Sequence, residues 1–75
     1  VARLVVTYKR GFDPTLDRRI EKAAGAKRLG SGFSFADGVR DMDFGFDTIR
    51  DARRALTAVK RELKNRVSAR IAHPL

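Results

Sequence analysis

The sequence predicts a small α+β domain of ferredoxin-like type in the order βαββα(β), an antiparallel sheet carrying two helices on one face. Three observations predict it. An alternating β-branched run opens the chain, two helical segments each carry a start signal, and two alternating strands between them meet at Asp37-Gly38. The 75 residues, 1–75, form a single domain, being too few to divide between two cores.

In the first element, Leu4, Val6 and Tyr8 alternate with Arg3, Thr7 and Lys9, a strand pattern that Gly11 ends. Asp13-Pro14 opens the first helix. The Asp13 carboxylate can cap free amides, and proline suits the first helical position. Leu16, Ile20, Ala23 and Ala24 then share a face until Gly25, which predicts a helix over 14–24.

Asp37-Gly38 between two alternating runs is a strong hairpin signal. A two-residue turn there pairs Ala36 with Val39, Phe35 with Arg40, Ser34 with Asp41, Phe33 with Met42 and Ser31 with Phe44. One face gathers Phe33, Phe35, Met42, Phe44 and Phe46. The other gathers Gly32, Ser34, Ala36, Asp41, Asp43 and Gly45.

Thr48 through Asp51 reads as a capping box. A second helix follows to about Asn65, its apolar stripe running through Ile49, Ala52, Leu56, Val59 and Leu63. Val67, Ala69 and Ile71 alternate in phase between Asn65 and Pro74, which favours a short last strand over a continued helix. The helices then cover the phenylalanine face and leave the other face of the sheet open.

Charge is the main functional signal. Lys and Arg total 17 against 9 Asp and Glu, giving +8 and a pI near 11.1, a balance suited to polyanionic partners. At ~100° per residue, Arg50, Arg53, Arg54, Lys60, Arg61 and Lys64, with Thr57 among them, cover about a third of the second helix's circumference. Asp51 and Glu62 fall on the other flank. The first helix repeats the arrangement, with Arg18, Arg19 and Lys22 turned away from the core and Asp17 and Glu21 on the far flank. Like charges sorted into a strip repel by a few tenths of a kcal/mol per close pair, so a strip implies a use. The candidate nucleic-acid-binding residues are therefore Arg50, Arg53, Arg54, Lys60, Arg61 and Lys64, with Arg18 and Lys22 in support. The plain alternative is a solvated surface.

Other chemistry is poorly supported. The run Gly30-Ser31-Gly32-Phe33-Ser34-Phe35 is similar to the glycine–aromatic alternation of an RNA-recognition strand. Its phenylalanines, however, share the face that helices cover, so base stacking is not expected. Asp41 and Asp43 share a strand face at a spacing that could hold Mg²⁺ or Ca²⁺. Too few oxygen ligands join them, and pairing with cations of the first strand explains them more simply. Cysteine is absent and His73 stands alone, so neither a thiolate nor a histidine metal site is expected. No phosphate-cradling glycine loop, Ser–His–Asp set or Cys–His pair is present, and no cofactor is expected.

The sequence thus predicts a non-enzymatic module that contacts nucleic-acid phosphates with little sequence preference. The alternative is an interaction or inhibitor module for an acidic protein. The third reading is a small basic ribonuclease using Tyr8, Lys9, Arg10 and Arg40 near strand ends. No apolar run approaches a membrane span and no leader pattern opens the sequence, so a cytoplasmic location without membrane contact is expected. Small size alone suggests a homodimer.

Overall fold

The computed structural model describes residues 2–9, 13–26, 28–34 and 37–72. Strand β1 (Ala2–Tyr8) leads to helix α1 (Pro14–Ala24), strands β2 (Arg28–Ser34) and β3 (Val39–Phe46), and helix α2 (Ile49–Leu63). A 3-10 turn at Lys64–Arg66 then precedes strand β4 (Ser68–Ala72). The sheet is antiparallel throughout, in the order β2-β3-β1-β4, with the helices packed on one side: the ferredoxin-like sandwich that the sequence predicts. Among the described residues no helix is long and apolar enough to cross a membrane.

The helix boundaries follow local chemistry. The Asp13 carboxylate accepts from the Thr15 and Leu16 amides, each at 3.1 Å, and Pro14 fills the first position. Gly25 ends α1 at φ 70°, in the left-handed region where glycine has no Cβ to clash, and its amide donates to the Glu21 carbonyl. The Thr48 hydroxyl accepts from the Asp51 amide at 3.1 Å to start α2. This helix ends at Leu63, earlier than the expected Asn65, because Lys64 turns to φ 51° and breaks the helical path. Val67 follows in extended conformation, and β4 pairs with β1 from Thr7↔Ser68 to Arg3↔Ala72.

The core lies between the helices and one face of the sheet. Leu4, Val6, Tyr8, Met42 and Phe44 from the sheet meet Leu16, Ile20, Val59 and Leu63 from the helices. Side chains of this size gain about 1.5–3 kcal/mol each from full burial. Val67, Ala69, Ile71 and Leu56 pack around this centre as partly buried residues. Ala52 and Ala55 are buried where α2 meets its neighbours, whereas Ile49, expected on the apolar stripe, sits at the rim.

The hairpin departs from expectation in register. The strands pair Ser34↔Val39, Phe33↔Arg40, Ser31↔Met42 and Gly30↔Asp43, two residues away from the register of a two-residue turn. The connection is four residues long, 35–38, with Gly38 at φ 64°. A shift of two keeps every side chain on its expected face, so the apolar pattern could not distinguish the registers. Met42 and Phe44 are fully buried, but Phe33, on edge strand β2, is only half-buried. Phe35 and Ala36 lie outside the described residues.

A second irregularity was not expected. Between Arg28 and Gly30 the pairing slips by one residue, so that Arg28 stands opposite Phe44 and Leu29 is the extra residue of a bulge. A slip of one residue exchanges faces. Arg28 thereby turns toward α1, while Leu29 moves to the open face of the sheet, where it is 66% exposed.

Candidate nucleic-acid interface

Helix α2 buries Ala52, Ala55, Val59 and Leu63, which fixes the opposite side as its outer surface. Arg50, Arg53, Arg54, Lys60 and Arg61 are all exposed there, and Lys64 is exposed just beyond the helix end. On α1, Leu16, Ile20 and Ala24 face inward, and Arg18 and Lys22 are exposed. Every sequence-derived site residue therefore lies on the outer surface of the helical layer or at its margin.

The helices bring the two sets together. A cleft of about 570 Å³ between them is lined by Arg19, Lys22 and Ala23 of α1 and by Ala58, Arg61 and Glu62 of α2. Alanines on both helices allow the close approach, so Lys22 and Arg61 border one groove. Arg54 borders the hollow at the C-terminal end of α1, and Lys60 and Lys64 border one above β4 with Asn65, Val67, Ser68 and Ala69. The cationic surface thus runs from α1 across α2 to the sheet edge.

Among the described residues, ion pairs engage Arg3, Arg19, Arg28 and Arg40 and leave the other cations, Lys9, Arg66 and Arg70 as well as the strip, without one. Arg3 pairs with Asp43, Arg19 with Glu62 at 3.7 Å, Arg28 with Glu21 at 3.2 Å and Asp17 at 3.6 Å, and Arg40 with Asp17 at 2.9 Å. Arg18, Lys22, Arg50, Arg53, Arg54, Lys60, Arg61 and Lys64 form no ion pair with any described residue. On the acidic flank of α2, Glu62 turns to Arg19 of α1, and Asp51 makes no ion pair with a described residue.

Asp17 departs from its expected place on the far flank of α1. It lies not on an exposed flank but buried at 4% exposure, accepting from the Tyr8 hydroxyl at 2.6 Å and from Arg40. Two signals were available. Asp17 precedes Ile20 and Ala24 by i+3 and i+7 and so shares their face. Arg40 falls on the inward parity of β3, beside Tyr8 across the pairing of β1 with β3, and an inward cation needs a carboxylate. Burial, then hydrogen bonding to Asp17, raises the Tyr8 pKa above 10.0 and keeps the phenol neutral. Tyr8 and Arg40 do converge, but onto Asp17 within the fold. Lys9 is exposed, and Arg10 lies outside the described residues.

On the open face, Asp43 pairs with Arg3 of β1, as expected, while Asp41 makes no ion pair with a described residue. Its carboxylate instead leans over Gly32, where a Cβ would come within 2.7 Å of Oδ1. Among the described residues no three His, Cys, Asp or Glu side chains gather where they could hold a metal ion.

Fold and surface together define a ferredoxin-like domain with a cationic helical layer. No family model matches the chain, and no curated protein matches it. Among solved structures, the crystal structure of protein Atu4242 from Agrobacterium tumefaciens is similar. It superposes with a TM-score of 0.55 at 16% identity, covering 100% of this chain and 94% of that one. At that identity the likeness shows the fold alone.

Proposed function

We propose that this domain binds nucleic-acid backbone through the outer surface of its helical layer, with little sequence preference. The observation that carries the reading is the division of the cations. Asp43, Glu62, Glu21 and Asp17 serve Arg3, Arg19, Arg28 and Arg40, whereas Arg50, Arg53, Arg54, Lys60, Arg61 and Lys64, with Arg18 and Lys22, make no ion pair with a described residue on the outer surface of the helical layer. Exposed like charges of this density repel one another, and phosphates relieve that repulsion by releasing their own counterions. The aromatic residues of the sheet's inner face serve the core, so the contacts available are to phosphate and sugar rather than to base faces.

Binding of short labelled duplex and single-stranded oligonucleotides of unrelated sequence at low salt tests this. Reversing Arg53, Lys60 and Lys64 to glutamate leaves the buried stripe untouched and abolishes binding to every sequence alike. Reversing Arg18 and Lys22 weakens it less. A triple variant that binds as well as the parent, or a parent that fails to bind at low salt, overturns the reading and leaves the strip to an acidic protein partner.

A further inference from the structure

We propose that the open face of the sheet binds the same face of a second copy of this chain, about a two-fold axis running along the strands between β3 and β1. This is independent of whether the helical layer binds nucleic acid.

Charge complementarity supports the pairing. Within the strands this face carries Arg3 and Arg70 against Asp41 and Asp43, a local balance of zero in a chain of net +8. Arg3 and Asp43 satisfy each other. Asp41 and Arg70 each lack an ion-pair partner among the described residues, and within one chain they do not pair with each other across β1, which separates their strands. The proposed axis places β4 of one copy over β2 of the other. Gly30, Asp43, Val5 and Arg70 form one row across the sheet. The axis preserves that row, so Arg70 of one copy lands over Gly30 of the other, diagonal to an Asp41 carboxylate that already leans toward β2. The other in-plane axis would set Arg70 against Arg70.

The surface also fits close approach. Gly30 has open space where its Cβ would be, and Ala72, Ser68 and Thr7 are small. The bulge in β2 lifts Leu29 onto this face, over Gly45, where it is 66% exposed. In the next row the axis sets it near Ala72 of the second copy, which gives the interface an apolar edge. Stacked sheets lie ~10 Å apart, so the helical layers end up on opposite outer sides, roughly 30 Å apart. At that separation salt screens their mutual repulsion. Strands ~4.8 Å apart give a footprint of roughly 400 Å² per copy, about half that of a standard interface, so the association is weak and reversible.

Sedimentation velocity over a rising protein concentration tests the proposal on the full chain. The parent should pass reversibly from monomer to dimer. Arg70→Glu or Asp41→Lys alone should raise the dissociation constant at least ~10-fold, and the two together should restore it to within about threefold. At Gly30 a Cβ would meet nothing within 4 Å beyond its chain neighbours, and Gly30→Val should weaken association comparably by blocking Arg70. Unchanged circular dichroism and melting would show that each variant folds. A parent that stays monomeric throughout overturns the proposal, as do single charge variants that associate normally or a combined variant no better than either alone.

Discussion

The two faces of this domain differ in how they treat charge. On the outer surface of the helical layer Arg50, Arg53, Arg54, Lys60, Arg61 and Lys64 form no ion pair with a described residue, whereas the strands of the open sheet face set Arg3 and Arg70 against Asp41 and Asp43. Both faces are exposed and polar, so solubility does not explain the difference. Most of the unpaired cations thus gather on the helical layer, while the strands of the open face balance their charges, and both proposals rest on that distribution.

The largest expected effect comes from the core that both faces share. Phe44 is fully buried between them, and Phe44→Ala should cost ~3–5 kcal/mol, enough to unfold a domain this small and erase both surfaces. Chemical denaturation of the variant checks this. Asp17→Ala should come close to it, at about 3–5 kcal/mol, because it leaves Arg40 buried without its carboxylate. Loss of stability of no more than ~1 kcal/mol would show that water reaches the site and that the cluster is a surface pair.

Alkaline pH gives a sharper view of the same cluster. Tyr8 is the only tyrosine and there is no tryptophan, so phenolate absorbance reports it alone. Its folded pKa is raised above 10.0, so the folded state holds the proton longer than the unfolded state does. The stabilising contribution is therefore complete below pH 10 and is lost as pH rises through the folded value. Titration should give a midpoint above 10.0, and Tyr8→Phe should lose this part of the alkaline destabilisation. A midpoint at the ordinary value would mean that the hydroxyl is solvated.

Smaller effects separate the two faces. Lys64 holds φ 51°, a region costly for residues other than glycine. Lys64→Gly should raise stability by about 1 kcal/mol while removing one cation from the strip, so melting and affinity move in opposite directions. On the sheet face, Asp43→Asn should cost at most ~1 kcal/mol, because its pair with Arg3 is partly exposed. Mg²⁺, Mn²⁺ and Ca²⁺ should leave the melting temperature unchanged. A saturable rise that Asp43→Asn abolishes would establish a metal site there.

Much of the fold was legible because local chemistry marked it. Asp13-Pro14 and Gly25 bounded α1 at the observed residues, and the in-phase Val67, Ala69 and Ile71 identified β4. The hairpin faces were legible but its register was not, since a shift of two residues preserves every face. The Leu29 bulge could not be read from an alternating pattern, because a bulge is an interruption of that pattern. The place of Asp17 was not legible from helical spacing alone, because its burial depends on tertiary partners, Tyr8 of the preceding strand and Arg40 of β3, 23 residues on. The cations of the strip were legible as a surface, since helical spacing alone sorts them outward. That they form no ion pair with a described residue is visible only in the folded structure, where Arg19 of α1 turns to Glu62.

The most direct measurement is the salt dependence of nucleic-acid binding for variants on opposite faces. On a short duplex, log affinity falls by ~0.9 per phosphate contact for each tenfold rise in salt, so four to six engaged strip residues give the parent a slope of roughly −4 to −5. Reversing Arg53, Lys60 and Lys64 to glutamate should leave no binding from which a slope can be measured at the salt concentrations where the parent binds. Arg70→Glu on the sheet face should leave the slope within about one unit of the parent's. Equal slopes for the parent and the triple variant, or a slope that collapses with Arg70→Glu alone, would contradict the division of charge between the two faces.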